Sequence, residues 1–471
     1  MTDRPVKHIH LVGINGAGLS AIARVLLEEG DQVSGSDLHL GGPAEALGRD
    51  GAVVFEGHDS RNVNGADLVV VSSAVPEENV EVQAARAAGI PVQRRPAFLH
   101  SMMEGKQGVA VAGTHGKTTT TGMITTILLD AGRDPSFIVG GVLVGPRTNA
   151  RAGGGSLFVV EADEYEQTFL SLRPEVGVIT NVEHDHPDCY PAFADCRSAF
   201  ESFAGLIPDG GLLAVCADDP VAQAIGQEQA TRKQVRFFGL TGRAEWRAEE
   251  TRPNFAGGVD FLAVHGTETL GLVRLRVPGV HNASNAMAAL AVSDFLGVPF
   301  GAAREALTGF RGVERRFEIK GKAGGVLVID DYAHHPTEIR ATLRAAKELF
   351  PEKRIWAVWQ PHTYSRTRAL LGEFAASFDD ADRVLVLPIY AARESDTLDV
   401  TALDVVEAMD HSGVQTVSSL EDAVERLLNA VRPEDVVLTL GAGDGNLVGE
   451  RLLTRLEGWI DAEEPRDDYG G

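Results

Sequence analysis

Cysteine is scarce. The 471 residues hold only Cys189, Cys196 and Cys216, an odd number without the paired spacing of a zinc site. That excludes a disulfide framework and fits a reducing compartment. Long apolar stretches are missing too. No uninterrupted apolar run approaches the ~18 residues of a membrane-spanning helix, and no basic segment running into an apolar one opens the chain. The expectation is a cytoplasmic protein without membrane insertion. Positive charge is in deficit, 43 Lys and Arg against 67 Asp and Glu, for a formal charge of −24. Nucleic acids and anionic lipid surfaces need a positive field, so neither is expected as a partner. Any phosphate site has to be built locally.

The remaining composition is that of a globular protein, with 44% apolar and 23% charged residues, which excludes wholesale disorder and fibrous repeats. At about 150 residues per domain the length suggests roughly three domains. Short β-like runs at 8–12, 68–72, 109–112, 157–160, 176–180, 326–329, 384–387 and 436–440 alternate with Ala/Leu/Glu-rich segments of helical length. Continuous apolar strands between helices read as α/β architecture, with parallel sheets covered on both faces. Polar breaks near 104–107 and 312–316 divide the chain into units at 1–106, 107–313 and 314–471, the last ending in a polar tail from about 461.

Residues 109–121 read VAVAGTHGKTTTT: an apolar strand, a Gly-bounded turn, then Lys117 and a row of Thr opening a helix. Such a turn aims backbone N–H groups of Gly113, Thr114, His115 and Gly116 at one anion, while the helix N-terminus adds its positive dipole end. Lys117 can then reach β/γ-phosphate oxygens, and the hydroxyls of Thr118 and Thr119 lie beside them. The strict motif needs Gly five positions before Gly116, where Val111 stands, so this is a shortened variant. A turn that merely joins strand to helix would not call for a Lys followed by Thr.

A second Gly-rich turn, GINGAG, follows the first strand with Gly13, Gly16 and Gly18 in G-x-x-G-x-G spacing instead of the dinucleotide fingerprint. Asp37 ends the next strand, where a carboxylate can meet a ribose hydroxyl. The turn is either a nucleotide-diphosphate site or a tight βα connection without a ligand.

Residues 157–169, LFVVEADEYEQTF, put Glu161, Asp163 and Glu164 at a strand end beside the phosphate loop, where a nucleotide-bound Mg²⁺ finds oxygen ligands. The strand VGVIT runs into Asn181, Glu183, His184, Asp185, His186 and Asp188, a mixed imidazole and carboxylate set suited to a second cation. Each cluster alone also reads as a solvated acidic loop. At 277–289, VPGVHNASNAMAA brings His281, Asn282 and Asn285 to a helix start, for capping or for pairing with the amino edge of adenine. Three further segments, RGVERRFE at 311–318, IDDYAHHPTEI at 329–339 and WQPHTYSRTR at 359–368, place Arg and His beside strand ends. Cationic groups there, in so acidic a chain, point to anions, with surface ion pairing as the other reading.

With these motifs in this order, the chain resembles the Mur ligases of peptidoglycan synthesis, and within them the alanine-adding members. GINGAGLS, GTHGKTTT, EADEYEQTF, NVEHDHPD, PGVHNASNA, RRFE, DDYAHHPTE and QPHTYSRTR carry the likeness over nearly the whole chain. The resemblance implies a Rossmann-like N-terminal domain for the UDP sugar, a central P-loop ATPase-type domain and a Rossmann-like C-terminal domain bringing the amino acid. It implies ATP-dependent ligation of L-alanine to the carboxylate of UDP-N-acetylmuramate through an acyl phosphate, in the cytoplasm, by a monomer or homodimer.

By the same resemblance, Lys117 and the backbone of 113–119 hold the ATP phosphates. Thr118 and Glu161 bind one Mg²⁺ and His186 a second, Asn282 and Asn285 contact adenine, and Arg316 faces phosphate. Gly13, Gly16, Gly18 and Asp37 serve the UDP part. Tyr332, His334 and Arg366 hold the amino acid, His334 as a base or as a substrate contact. Thr363 stands where some alanine-adding members have a second Arg, and Pro187 where Met is common, while Arg393 occupies a position expected to be small. The stretch at 197–200 has no Lys for the carbamylation that serves related ligases. Alternatives are a ligase that recycles a whole tripeptide onto the same sugar, a nicotinamide-dependent oxidoreductase built on GINGAG, and a non-catalytic sugar-nucleotide sensor.

Overall fold

The computed structural model describes residues 6–395 and 397–463 and contains three sheets in chain order. In the first, five parallel strands lie in the order Val53–Glu56, Gln32–Asp37, His8–Val12, Leu68–Val71, Val92–Arg94. The order reverses at His8–Val12, so the turn after Val12 opens where neighbouring crossovers diverge, which is where open α/β sheets leave a crevice.

The second sheet has ten strands. Its parallel centre runs Gln234–Gly239, Leu212–Cys216, Val176–Ile179, Gln107–Ala112, Leu157–Glu161, Ser136–Leu143. The expectation of a parallel sheet is corrected at both edges. Thr148–Arg151 turns back antiparallel on Ser136–Leu143, and Trp246–Pro253, Val259–His265 and Glu268–Arg274 form an antiparallel meander. The connections 254–258 and 266–267 are too short for a parallel crossover, which needs a dozen residues or more. One face of Trp246–Pro253 is half open, so its residues alternate instead of forming the apolar run that marks a central strand.

The third sheet is ordered Glu318–Ala323, Val326–Asp331, Val436–Leu440, Ile355–Trp359, Arg383–Val386, Val414–Thr416. All neighbours are parallel except the first pair, a hairpin closed by Gly324 and Gly325 at φ +56° and +79°, a turn that requires positive φ at both positions.

The parallel strands are buried on both faces; Val109, Ala110, Val111 and Ala112 have no exposed surface. Helix Lys117–Asp130 packs against helix Val280–Phe295, so the phosphate loop leads into a helix buried between sheet and helix. Helix Asn446–Glu463 continues two residues past the expected start of the tail, and residues 464–471 lie outside the described residues. Among the described residues no helix is long and apolar enough to cross a membrane.

Candidate functional site

The strand Gln107–Ala112 hands over to helix Lys117–Asp130 through 113–116. Gly113 has φ +138° and Gly116 φ +80°, conformations that disfavour a Cβ. There is also no room for one: at 113 it would collide with Thr180 Oγ1, and at 116 it would lie 2.8 Å from Asn285 Oδ1. Asn181 pins the turn, its carbonyl accepting from Thr114 N at 3.1 Å and its Oδ1 from His115 N at 2.8 Å.

Lys117 Nζ donates to Gly113 O at 2.6 Å, Thr114 O at 3.1 Å and Glu164 Oε1 at 3.0 Å. Burial opposes its charge, yet Glu164, Asp163 and Glu161 together hold the ammonium above its usual value. Thr118 Oγ1 donates to Glu161 Oε1 at 3.0 Å, and Gly140 N to Glu161 Oε2 at 2.7 Å. Burial pushes the Glu164 carboxyl up against the pull of Lys117. A buried carboxylate that one cation does not fully offset, with a hydroxyl and a second carboxylate beside it, is a donor set fitted to a hard divalent cation.

Asn282 and Asn285 lie in the first turns of helix Val280–Phe295, and neither caps it, because Gly279 at φ +89° takes the cap position. Asn282 Nδ2 donates to Pro278 O at 2.7 Å, and Asn285 Nδ2 to Asn282 Oδ1 at 3.0 Å. Both are 7% exposed and line a cavity of about 350 Å³ shared with His115, Gly116, Thr119 and Arg316. His281 is in the same lining. Burial, helped by Arg316, takes its pKa down to about 4, so the ring is neutral.

His186, at φ +56°, has Nε2 3.8 Å from Glu164 Oε1 and 3.7 Å from Asp185 Oδ2, with the Tyr165 ring 5.0 Å away. The two acidic segments thus meet at Glu164, which lies beside both Lys117 and His186. Asp185 reaches the other way, to Arg366 Nε at 2.8 Å, in a pair with both side chains 6% exposed. Burial opposes the Asp185 charge, but the Arg366 guanidinium holds it well below the usual range.

On the third sheet Tyr332, His334 and Arg366 come together as expected. The rings of Tyr332 and His334 are 5.4 Å apart, and His362 lies 6.1 Å from His334 and stacks on Tyr390 at 5.6 Å. Arg366 Nη1 donates to His362 O at 2.8 Å, so its guanidinium is shared between this pocket and Asp185. Burial takes His334 down to about 3 and His362 to about 4, leaving both neutral. Thr363 Oγ1 donates to Glu394 Oε1 at 2.5 Å, and the neighbouring Arg393 lies 5.8 Å over the Tyr165 ring. Arg393 therefore lies between the Thr363–Glu394 contact and the Tyr165 ring that packs on His186.

Glu338 and His362 were not among the expected site residues, and Asp185, expected in a cation set, pairs with Arg366. The local signal for Glu338 was available: in His-Pro-Thr-Glu it is the third residue of a capping box on His335. Its Oε2 accepts from His334 N at 3.0 Å and His335 N at 3.3 Å, while Oε1 lies 3.3 Å from His115 Nδ1 and 3.6 Å from Arg316 Nη1. Arg316 also lies 5.3 Å over the Tyr332 ring.

The N-terminal residues form a separate group. Gly13, at φ +93°, donates its N–H to Ser36 O at 2.8 Å, and a Cβ there would lie 2.9 Å from Ser72 Cβ. Gly16 is the N-cap of helix Ala17–Glu28, Gly18 abuts Arg95, and Asp37 Oδ2 accepts from Asn15 N at 3.0 Å. Arg95 Nη2 lies 3.8 Å from Asp163 Oδ2, and a crevice of about 50 Å³ lined by Gly18, Arg95, Glu161 and Asp163 connects this turn with the acidic strand end.

Three family models match the chain in succession: the Mur ligase family catalytic domain over residues 8–107, the Mur ligase middle domain over 111–293, and the Mur ligase glutamate ligase domain over 315–443. The UDP-N-acetylmuramate L-alanine ligase of Salinibacter ruber (strain DSM 13855 / M31) is 44% identical over 456 residues, which is 96% of this chain and 95% of that protein. The solved UDP-N-acetylmuramate-alanine ligase MurC from Thermotoga maritima matches with TM-score 0.81 at 30% identity, over 96% of this chain and 100% of that one. A murein peptide ligase from Psychrobacter arcticus 273-4 matches with TM-score 0.72 at 26% identity, over 96% and 99% of the two chains.

Proposed function

The chain belongs to the Mur ligase family, and from that premise we propose that it joins L-alanine to the carboxylate of UDP-N-acetylmuramate with hydrolysis of ATP, in peptidoglycan precursor synthesis. One observation carries the reading. The phosphate-loop lysine, the strand-end carboxylates and the Tyr332/His334/Arg366 pocket adjoin one another, in a chain similar over 96% of its length to a protein named for this reaction.

ATP lies with its phosphates on 113–119 and its adenine beside Asn282 and Asn285, while the UDP part of the sugar rests on Gly13, Gly16, Gly18 and Asp37. The crevice at Arg95 and Glu161 leads the muramyl carboxylate toward the γ-phosphate. That carboxylate attacks phosphorus and ADP leaves, giving an acyl phosphate with a good leaving group. Lys117 offsets the repulsion between the two anions, a mainly positional and electrostatic contribution. Thr118, Glu161 and His186 are the residues fitted to hold Mg²⁺, two ions in all, which when bound neutralises charge building on the transferred phosphoryl group. The amine of L-alanine then attacks the acyl carbon, and inorganic phosphate departs.

His334 has a defined part in this. Its Nδ1 faces two acceptors, Tyr332 O at 3.0 Å and Glu338 Oε2 at 3.3 Å, so Nδ1 carries the proton and Nε2 keeps its lone pair. With a pKa near 3 the ring is a poor proton sink at neutral pH. It therefore orients the amine by accepting a hydrogen bond, and the proton passes to the departing inorganic phosphate.

The test is isotopic. Oxygen-18 placed in the muramyl carboxyl group should appear in the released inorganic phosphate, and the sugar product should gain the mass of an alanine residue. Label-free phosphate would overturn the acyl phosphate. Product formed only with a tripeptide would overturn the choice of amino acid.

A further inference from the structure

We infer that His115 and Glu338 form a relay through which the nucleotide loop sets the position of His334, making Glu338 a positioning residue for the incoming amino acid. The inference rests on the function proposed above, with ATP on 113–119 and the amino acid beside His334.

His115 belongs to the phosphate loop, and its ring lies between carboxylates of two sheets. Nδ1 lies 3.3 Å from Glu338 Oε1 on the third sheet's side, and Nε2 lies 3.4 Å from Glu183 Oε2 on the second sheet's side. Both partners are carboxylates, which only accept, so both ring nitrogens have to donate. The charged form follows: burial opposes it, but Glu183 and Glu338 raise the imidazole to about 9. His115 and Glu338 are 10% and 11% exposed, where a charge-assisted hydrogen bond is stronger than in water.

Glu338 then passes the constraint on. The two oxygens of a carboxylate move as one rigid plane. Oε1 meets His115, and Oε2 takes the backbone N–H of His334 at 3.0 Å and lies 3.3 Å from its Nδ1. The residue sits in the first turn of helix Pro336–Leu349, where backbone capping and the helix dipole fix its carboxylate. A displacement of 113–116 by an arriving phosphate therefore reaches the amine-orienting ring through two side chains. Thr337 Oγ1, donating to Glu183 Oε2 at 2.7 Å, ties the same turn to the second sheet. By linkage, whatever ATP does to the amino acid's affinity, the amino acid does to that of ATP.

Two substitutions at one position separate the relay from general damage. In His115→Asn the amide nitrogen falls near the former Nδ1 and still donates to Glu338. In His115→Gln it extends to the former Nε2, keeping Glu183 and losing Glu338. At saturating MgATP and UDP-N-acetylmuramate, His115→Gln should raise KM for L-alanine by about tenfold, within the roughly 5–150-fold span of coupled sites. His115→Asn, which keeps a donor toward Glu338, should raise it by clearly less than His115→Gln does. Glu338→Gln should match His115→Gln, and combining the two should add little. KM for UDP-N-acetylmuramate, which reads the distant N-terminal sheet, and the thermal midpoint report folding in each variant; should Glu338→Gln not fold, the His115 pair decides. Equal alanine KM in His115→Asn and His115→Gln, or effects that multiply independently in the double variant, would overturn the relay. Absence of any alanine product from the unaltered protein would overturn the proposed function itself, and the relay with it.

Discussion

Lys117 is in contact with two loop carbonyls and Glu164, and among the described residues no second lysine or arginine shares these hydrogen bonds. Removing its charge leaves Glu164 buried among Asp163 and His186 with its main counter-ion gone. Lys117→Ala should lower kcat at least as much as loss of one transition-state donor, roughly 10²–10³-fold, while the affinity for UDP-N-acetylmuramate stays unchanged. Calorimetric titration with the sugar nucleotide beside a phosphate-release assay checks both halves, and parallel loss of binding and turnover would contradict the separation of the two sites. Glu161→Gln keeps one carbonyl acceptor, for Gly140 N, and offers Thr118 Oγ1 an amide donor in place of the second oxygen, but removes the charge, so the Mg²⁺ concentration for half-maximal rate should rise. An unchanged Mg²⁺ dependence would take Glu161 out of the metal shell. Lys117, Thr118 and Glu161 could be read from the sequence because their chemistry is written within a few residues of a strand end. Asp185 and Arg366 could not be paired that way: each has local reasons to be where it is, but their partnership spans 181 positions and exists only once two sheets meet.

At the scale of elements, the phosphate loop shows how tightly a strand–turn–helix unit can be specified. Gly113→Ala would force a side chain into φ +138° and against Thr180, a backbone cost of about 1–3 kcal/mol before the clash is counted. Chemical denaturation should register that loss, and ATP affinity should fall with it, since Thr180 Oγ1 also donates to the loop at His115 O, 2.5 Å away. Native-like stability in that variant would show that the turn relaxes freely. The continuous strands around this loop, such as VAVA and LFVV, announce themselves because burial on both faces leaves no polar alternation. The meander at 246–274 escaped for the opposite reason: one side of its first strand meets solvent, and WRAEETRP carries more charge than apolar weight. The helix start at 280 was anticipated, but the asparagines were freed from capping by Gly279, whose positive φ takes the terminal position.

For the whole molecule, the decisive feature is how the third sheet docks on the second. Asp185 with Arg366, Glu183 with Thr337, His115 with Glu338, and Tyr165 under Arg393 all cross that boundary. These contacts titrate in opposite senses. His115 is raised from 6.5 to about 9 by Glu183 and Glu338 once burial is overcome, so its contribution is fully present below 6.5 and is lost as pH climbs through about 9. His334, His335 and His362 are depressed by burial from 6.5 to about 3 or 4, so docking favours their neutral forms. The undocked or unfolded chain takes up protons there below 6.5, and stability drains away as pH falls from 6.5 toward 4. Glu183, lowered to about 2 by His115 and Thr337 against burial, holds its charge throughout that range. The docked form should therefore be most stable in a window around pH 6.5, weakening as pH climbs toward about 9 and as it falls toward about 4. Small-angle scattering should show a larger radius of gyration on both sides of this window. His115→Asn, which has no titrating ring, should abolish the alkaline expansion and leave the acidic one. A flat radius across the range, or an alkaline limb that survives in His115→Asn, would mean that the sheets are held by their apolar contacts and that the imidazolium bridge is incidental.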